Sequence, residues 1–227
     1  TGGPDVVRGA RLEIEAGERV CLLGPPGSGK TSLLLAVLRL LRPRAGKVTI
    51  AGVDASTIGP AALHRIVGFV PAEPQLFAGT IRDNLDYLGE YSDDELLQAL
   101  SRVQLQTCLV SMPCRLDERI SGGSGLTFEQ RRLFCLTRVV LRRPGLLLVD
   151  GPKPPPDGLA DAATAAACSV LQRASVVAVA RRPEDLVSGR FDRFAAMQDG
   201  VVVETGPAGE VSKSRTMRKM LALRWPR

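Results

Sequence analysis

Apolar and polar positions fall into two rhythms along this chain. Short unbroken apolar runs read as buried strands, and stretches with apolar residues at spacings of three and four read as helices. Arg11 to Glu15 sets Leu12 and Ile14 between charged neighbours and predicts a half-buried strand, turned by Ala16-Gly17-Glu18 into an apolar strand over Val20–Leu23. Leu33 to Leu41 predicts a helix ending at Arg42-Pro43; Lys47 to Gly52 predicts a strand and turn, and Ile66 to Val70 a strand stopped by Pro71. Ser92-x-x-Glu95 is a capping box ahead of Leu96, Leu97 and Leu100. Thr127-x-x-Gln130 is a second, before a helix through Leu133, Phe134, Leu136, Val140 and Leu141. Gly145 to Asp150 is an apolar strand ending in an acid, as in a buried parallel sheet. An Ala-rich helix (Leu159 to Leu171), a buried strand (Ser175 to Ala180), a hairpin strand (Val201 to Val203 after Asp199-Gly200) and a basic helical tail (Val211 to Leu223) complete the pattern. There is no internal repeat. Strands alternating with helices predict an α/β sheet with helices packed on it.

Composition changes this picture little. With 227 residues, 44% hydrophobic and only 4% aromatic, the core must be aliphatic. The charge of +6 is spread along the chain without aromatic interleaving or a nucleic-acid motif, so no nucleic-acid partner is expected; a basic face toward anionic lipid headgroups is an alternative use of that charge. Cys21, Cys108, Cys114, Cys135 and Cys168 have no C-x-x-C spacing, and most lie in apolar runs, as small buried hydrophobes in a reducing compartment do. No apolar run approaches the ~20 residues that cross a bilayer, and Thr1-Gly2-Gly3-Pro4 is not a signal peptide. A cytosolic piece is expected.

The candidate chemistry begins at Gly24-Pro25-Pro26-Gly27-Ser28-Gly29-Lys30-Thr31-Ser32, which fits G-x-x-x-x-G-K-[ST] between a strand and a helix start. Glycines let successive N–H groups turn inward on a polyphosphate, and the helix adds its positive end. Lys30 would reach the β- and γ-phosphates, and the Thr31 hydroxyl would take a Mg²⁺ position. Nucleoside triphosphate binding is expected.

By Asp150 the sequence resembles an ABC transporter nucleotide-binding domain, over nearly the whole chain. The likeness is strongest to the second such domain of the C, or multidrug-resistance-associated, subfamily. Phe77-Ala78-Gly79-Thr80-Ile81-Arg82-Asp83-Asn84-Leu85-Asp86 is similar to the subfamily's LFSGT[IL]R-x-NLD stretch; Gly89 to Glu95 and Asp199 to Glu204 match as well. The resemblance implies one domain over residues 1–227: a P-loop NTPase (RecA-like) core, an antiparallel β subdomain and an α-helical subdomain over roughly 80–143. It implies ATP and Mg²⁺ as ligands, with Asp150 as the Walker B aspartate. It also implies head-to-tail pairing with a second nucleotide-binding domain of the same polypeptide, attachment to transmembrane domains, and a place at the cytosolic face of a membrane.

Against that family pattern, five positions depart. Gly151 stands where the glutamate that polarises the attacking water belongs, and a general base contributes ~10²–10⁴-fold. Arg181 stands at the switch histidine; the only histidine, His64, precedes Walker B. Ala72 replaces the Q-loop glutamine, with Gln75 three residues on as a poor substitute. Ile120-Ser121-Gly122-Gly123-Ser124 looks like the LSGGQ signature, but Ser124 lies 26 residues before Asp150. Gln130 lies 20 before it, the family spacing, so Leu126-Thr127-Phe128-Glu129-Gln130 is the counterpart. There Glu129 replaces the glycine that meets the partner's γ-phosphate. A carboxylate ~4 Å from phosphate oxygens costs up to roughly 4 kcal/mol at an effective dielectric near 20, unless Glu129 swings out into water. Finally, Pro152-Lys153-Pro154-Pro155-Pro156-Asp157 stands at the D-loop, stiff and short of N–H donors although Asp157 is kept.

The expectation is therefore a domain that holds Mg·ATP while hydrolysis is lost or strongly impaired. Arg181 would favour retention, since a guanidinium pairs with a γ-phosphate without shuttling a proton. Two alternatives stand beside it: a working transport ATPase with Glu73, Glu129 or a partner residue as substitute base, and a nucleotide-free assembly module. The adenine-stacking aromatic that the family places before the first strand has no counterpart in residues 1–23.

Overall fold

The computed structural model describes residues 6–106, 108, 112, 114–122, 125–151, 166, 169–180 and 190–222. In chain order its strands and helices begin with β1 (Arg19–Leu23), α1 (Lys30–Val37), β2 (Thr49–Ile50), β3 (Val53–Asp54), α2 (Pro60–Ile66), β4 (Val67–Val70) and β5 (Gly79–Thr80). There follow α3 (Ile81–Leu85), α4 (Asp93–Arg102), β6 (Arg119–Ile120), α5 (Phe128–Arg142), β7 (Leu146–Val149), β8 (Ser175–Val179), β9 (Arg193–Gln198), β10 (Val201–Pro207) and α6 (Arg215–Ala222).

The unbroken apolar runs become the middle of a six-stranded sheet of order β10-β9-β1-β8-β7-β4. All neighbours are parallel except the β9–β10 hairpin. Strands buried on both faces need cover on both, and successive residues send their side chains to opposite layers. Cys21, Leu23, Leu147, Val149, Val176, Ala178, Phe194 and Ala196 pack on one side with Ile81, Leu96, Leu100, Phe134 and Leu136 of α3, α4 and α5. Val20, Leu22, Leu148, Val177, Ala195 and Met197 pack on the other with Leu34 of α1 and Leu63 of α2. This is a P-loop α/β core.

Both expected capping boxes form. Ser92 and Glu95 exchange hydrogen bonds at the start of α4, as do Thr127 and Gln130 at the start of α5; Thr80 and Asp83 make a third at α3. Four expectations change. Arg11–Glu15 keeps its alternation, with Leu12 and Ile14 half-buried, yet has no ladder partner among the described residues. Its backbone is held by side chains instead: the Glu13 carbonyl accepts from Arg193 and the Glu15 carbonyl from the Ser175 hydroxyl. The helix expected to Leu41 ends at Val37, because Arg39 takes φ 58° and donates to the Ile58 carbonyl at 2.6 Å; Leu40 and Leu41 are left exposed. The tail helix starts at Arg215 rather than Val211, where the Ser214 hydroxyl accepts from the Met217 N–H at 3.0 Å and a 3-10 turn precedes it. The Lys47–Gly52 strand shrinks to β2, paired only with β3. Antiparallel structure among the described residues is thus the β9–β10 hairpin and two pairs of two-residue strands. The Ala-rich helix expected over 159–171 lies largely outside the described residues.

Candidate nucleotide-binding site

The loop from Gly24 to Gly29 leaves the C-terminal end of β1, and β8 alone separates β1 from β7. Gly24, Gly27 and Gly29 take φ of +153°, +79° and +96°, which side-chain-bearing residues rarely adopt. Gly24 faces a second constraint: a Cβ there would lie 2.1 Å from the Met197 carbonyl oxygen of β9. The hairpin tip supports the loop from behind, with the Gly200 N–H donating to the Ser28 carbonyl at 3.1 Å and the Arg8 N–H donating to the Gly200 carbonyl at 2.8 Å. Pro25 and Pro26 span the turn, where the Ser28 N–H donates to the Pro25 carbonyl at 3.2 Å. Ser32 follows in the first turn of α1, and Gly29 caps that helix without a side-chain hydrogen bond.

The Lys30 amine folds over its own loop and donates to the Gly24 and Pro25 carbonyls, both at 2.8 Å, and to the Ser28 hydroxyl at 3.1 Å. The Thr31 hydroxyl donates to Asp150 Oδ2 at 2.9 Å across the end of β8. Asp150 is buried, 4% exposed, and its N–H donates to the Val70 carbonyl at 2.8 Å. A hydroxyl and a carboxylate in contact suit a cation that keeps water and phosphate oxygens as its remaining ligands, as Mg²⁺ does. Among the described residues no cluster of three His, Cys, Asp or Glu is present.

Gly151 is buried and brings no side chain to the end of β7. Ala72 follows β4, its carbonyl 3.4 Å from Arg132 Nη1. Gln75 instead lines a groove of about 270 Å³ with His64, Phe69, Arg138 and Pro144, to which neither Thr31 nor Asp150 contributes. Asp157 and Arg181 lie outside the described residues.

The segment Leu126-Thr127-Phe128-Glu129-Gln130 forms the start of α5, with Leu126 buried. The Thr127 N–H donates to Gln130 Oε1 at 2.8 Å, and the Gln130 N–H donates to the Thr127 hydroxyl at 3.1 Å. Both polar side chains are committed to capping. The Glu129 carboxylate oxygens are buried, which corrects the alternative in which that side chain swings out into water. Ile120 ends β6 and Gly122 takes φ +59° in the turn beyond it; Gly123 and Ser124 lie outside the described residues.

Of the cysteines, Cys21 and Cys135 are buried as expected, and burial pushes the Cys135 thiol up. Cys114 is exposed, against the expectation for most of the set. Arg132 escaped the sequence reading. It is fully buried at 0% exposure, and its signal was a charged residue four before Leu136 on the apolar face of α5.

A glycine loop closing β1, a lysine folded into it, and a threonine bound to the acid two strands away define a P-loop nucleotide-binding domain. The ABC transporter family model matches residues 7–153, and the chain belongs to that family. It is similar to ATP-binding cassette sub-family C member 10 of Mus musculus, with 35% identity over 204 residues that cover 89% of this chain and 14% of that protein. It is also similar to ATP-binding cassette sub-family C member 4 of Homo sapiens, 38% identical over 150 residues covering 66% of this chain and 11% of that protein. ABC transporter C family member 3 of Dictyostelium discoideum is 31% identical over 223 residues, covering 89% and 16%. The chain is a nucleotide-binding domain of the C-subfamily type, and spans about a tenth to a sixth of the length of these relatives. No described helix is long and apolar enough to cross a membrane.

Proposed function

We propose that this domain binds Mg·ATP on the Gly24–Ser32 loop and hydrolyses it slowly or not at all, the nucleotide serving as a structural or regulatory ligand of an ABC-type membrane transporter. The observation that carries this reading is the contrast across one peptide bond. Asp150 is buried and bonded to Thr31, whereas the next residue, Gly151, has no side chain to polarise water. Lys30 exchanges its loop carbonyls for phosphate oxygens, and Thr31 and Asp150 hold the cation that the nucleotide brings. Asp157 and Arg181 complete the proposal at the D-loop and switch positions. On the family's head-to-tail arrangement the domain pairs with a second nucleotide-binding domain of the same polypeptide, beneath transmembrane domains at the cytosolic face, with residues 80–143 as the helical subdomain. On that arrangement the segment Leu126–Gln130 faces the partner's nucleotide, with Glu129 where the family keeps a glycine.

The test measures ATP binding beside phosphate release. Binding that needs Lys30, shown by its loss in Lys30→Ala, with phosphate release far below that of an ATPase-competent domain, is the expected result. Release at ordinary ABC rates, silenced by Lys30→Ala, would establish the working ATPase instead. A melting temperature unmoved by ATP would establish the assembly module, because a ligand that binds only the folded state must stabilise it.

A further inference from the structure

We propose that Arg132 is a positioning residue for the cation that accompanies the nucleotide, fixing the main chain of Asp150 and so aiming its carboxylate at Thr31. This rests on the nucleotide reading above. Arg132 leaves the second turn of α5 and is wholly buried. Its Nη1 donates to the Pro71 carbonyl at 2.7 Å, to the Asp150 carbonyl at 3.1 Å and, more weakly, to the Ala72 carbonyl at 3.4 Å.

The place matters. The β4–β7 ladder ends at the Val70–Val149 pair, just before Pro71. Beyond that pair the Asp150 N–H donates to the Val70 carbonyl, and the Asp150 carbonyl, in the peptide leading to Gly151, accepts from Arg132. The residue is held by β4 on its N–H, by α5 on its carbonyl and by α1 on its carboxylate. Burying a guanidinium is costly, and an apolar side chain of similar volume would fill the same space without that cost. What the guanidinium adds is a grip on carbonyls at the ends of two neighbouring strands, one of them the metal acid's own. Groups that orient a metal-binding side chain without touching the metal commonly govern metal affinity by 10–100-fold.

A purely structural role weakens every mode of binding together, whereas a positioning role acts on the part that needs the cation. ATP affinity is therefore measured calorimetrically on the chain with excess Mg²⁺ and with EDTA, for the wild type, Arg132→Met and Arg132→Lys. Wild-type affinity should rise with Mg²⁺. In R132M that rise should shrink on the order of tenfold, while the affinity in EDTA stays within about twofold. R132K, whose amine reaches some of the same carbonyls, should recover part of the rise, and carries the test if R132M does not fold. An undiminished Mg²⁺ effect in the folded variants, or equal losses with and without Mg²⁺, would overturn the proposal while leaving the nucleotide reading intact. A wild type that binds no ATP under either condition would overturn both.

Discussion

Gly24→Ala separates a packing requirement from a backbone one. The new Cβ would sit 2.1 Å from the Met197 carbonyl oxygen, 2.8 Å from the Ser28 hydroxyl and 3.1 Å from the Met197 carbonyl carbon. Relief needs a movement of about 1 Å, since carbon and oxygen pack at van der Waals separations well above 3 Å. Met197 cannot readily supply it: it sits in β9, where Val202 pairs with it and neighbouring Ala196 pairs with Leu23. The loop must move instead, carrying the Gly24 carbonyl away from Lys30. Overpacking costs about 1–3 kcal/mol, and a side chain at this φ about 1–3 kcal/mol more. Gly27→Ala is the control, with φ +79° but nothing within 4 Å of its Cβ; it carries only a backbone cost, about 1–2 kcal/mol. At roughly 2–4 °C per kcal/mol for a chain of this size, G24A should melt several degrees below G27A and lose more ATP affinity. Urea midpoints and ATP titrations on the two variants would check this. Equal stability and equal affinity would refute the steric account of the first glycine.

Further expectations concern stability. Arg193 grips Glu18 in two bonds, Nε to Oε1 at 2.6 Å and Nη2 to Oε2 at 3.0 Å, tying the start of β9 to that of β1. The Arg193 guanidinium holds the Glu18 carboxyl below its ordinary value of 4.5, with the Glu15 N–H adding to the effect. Because the folded-state value is depressed, the pair's stabilisation is complete above about pH 4.5 and is lost as pH falls through the folded-state value. The stability gap between wild type and Glu18→Gln should thus be constant near neutrality and close in acid, as read by denaturation at several pH values. Thr127→Ala removes one half of the α5 capping box and should cost about 1 kcal/mol in chemical denaturation. Leu100→Ala, emptying a wholly buried site beneath α4, should cost about 2–5 kcal/mol by the same measurement.

The central sheet was legible because its strands are unbroken apolar runs with nowhere to go but a two-sided core. The starts of α4 and α5 were legible because Ser92–Glu95 and Thr127–Gln130 are local devices, complete within four residues. Arg11–Glu15 shows the limit: its alternation reports half-burial correctly, but pairing depends on a neighbour that local pattern does not reveal. The stop at Val37 was hidden for a similar reason, since the Ile58 carbonyl that receives Arg39 lies 19 residues away. Of the candidate site residues, motif and strand end pick out Lys30, Thr31 and Asp150, and the structure brings Thr31 and Asp150 into contact. The support behind them was not legible: Met197, Gly200 and Arg132 act through main-chain contacts between segments far apart in sequence.

β1 is flanked by β8 and β9, both drawn from beyond residue 174, while the helix that follows the loop forms from residues adjacent to it. A growing polypeptide therefore carries its nucleotide loop on a strand with two open edges until β8 (Ser175–Val179) and β9 (Arg193–Gln198) have emerged. Fragments cut near the end of the family match at residue 153 would leave that strand naked and prone to stick to its own kind.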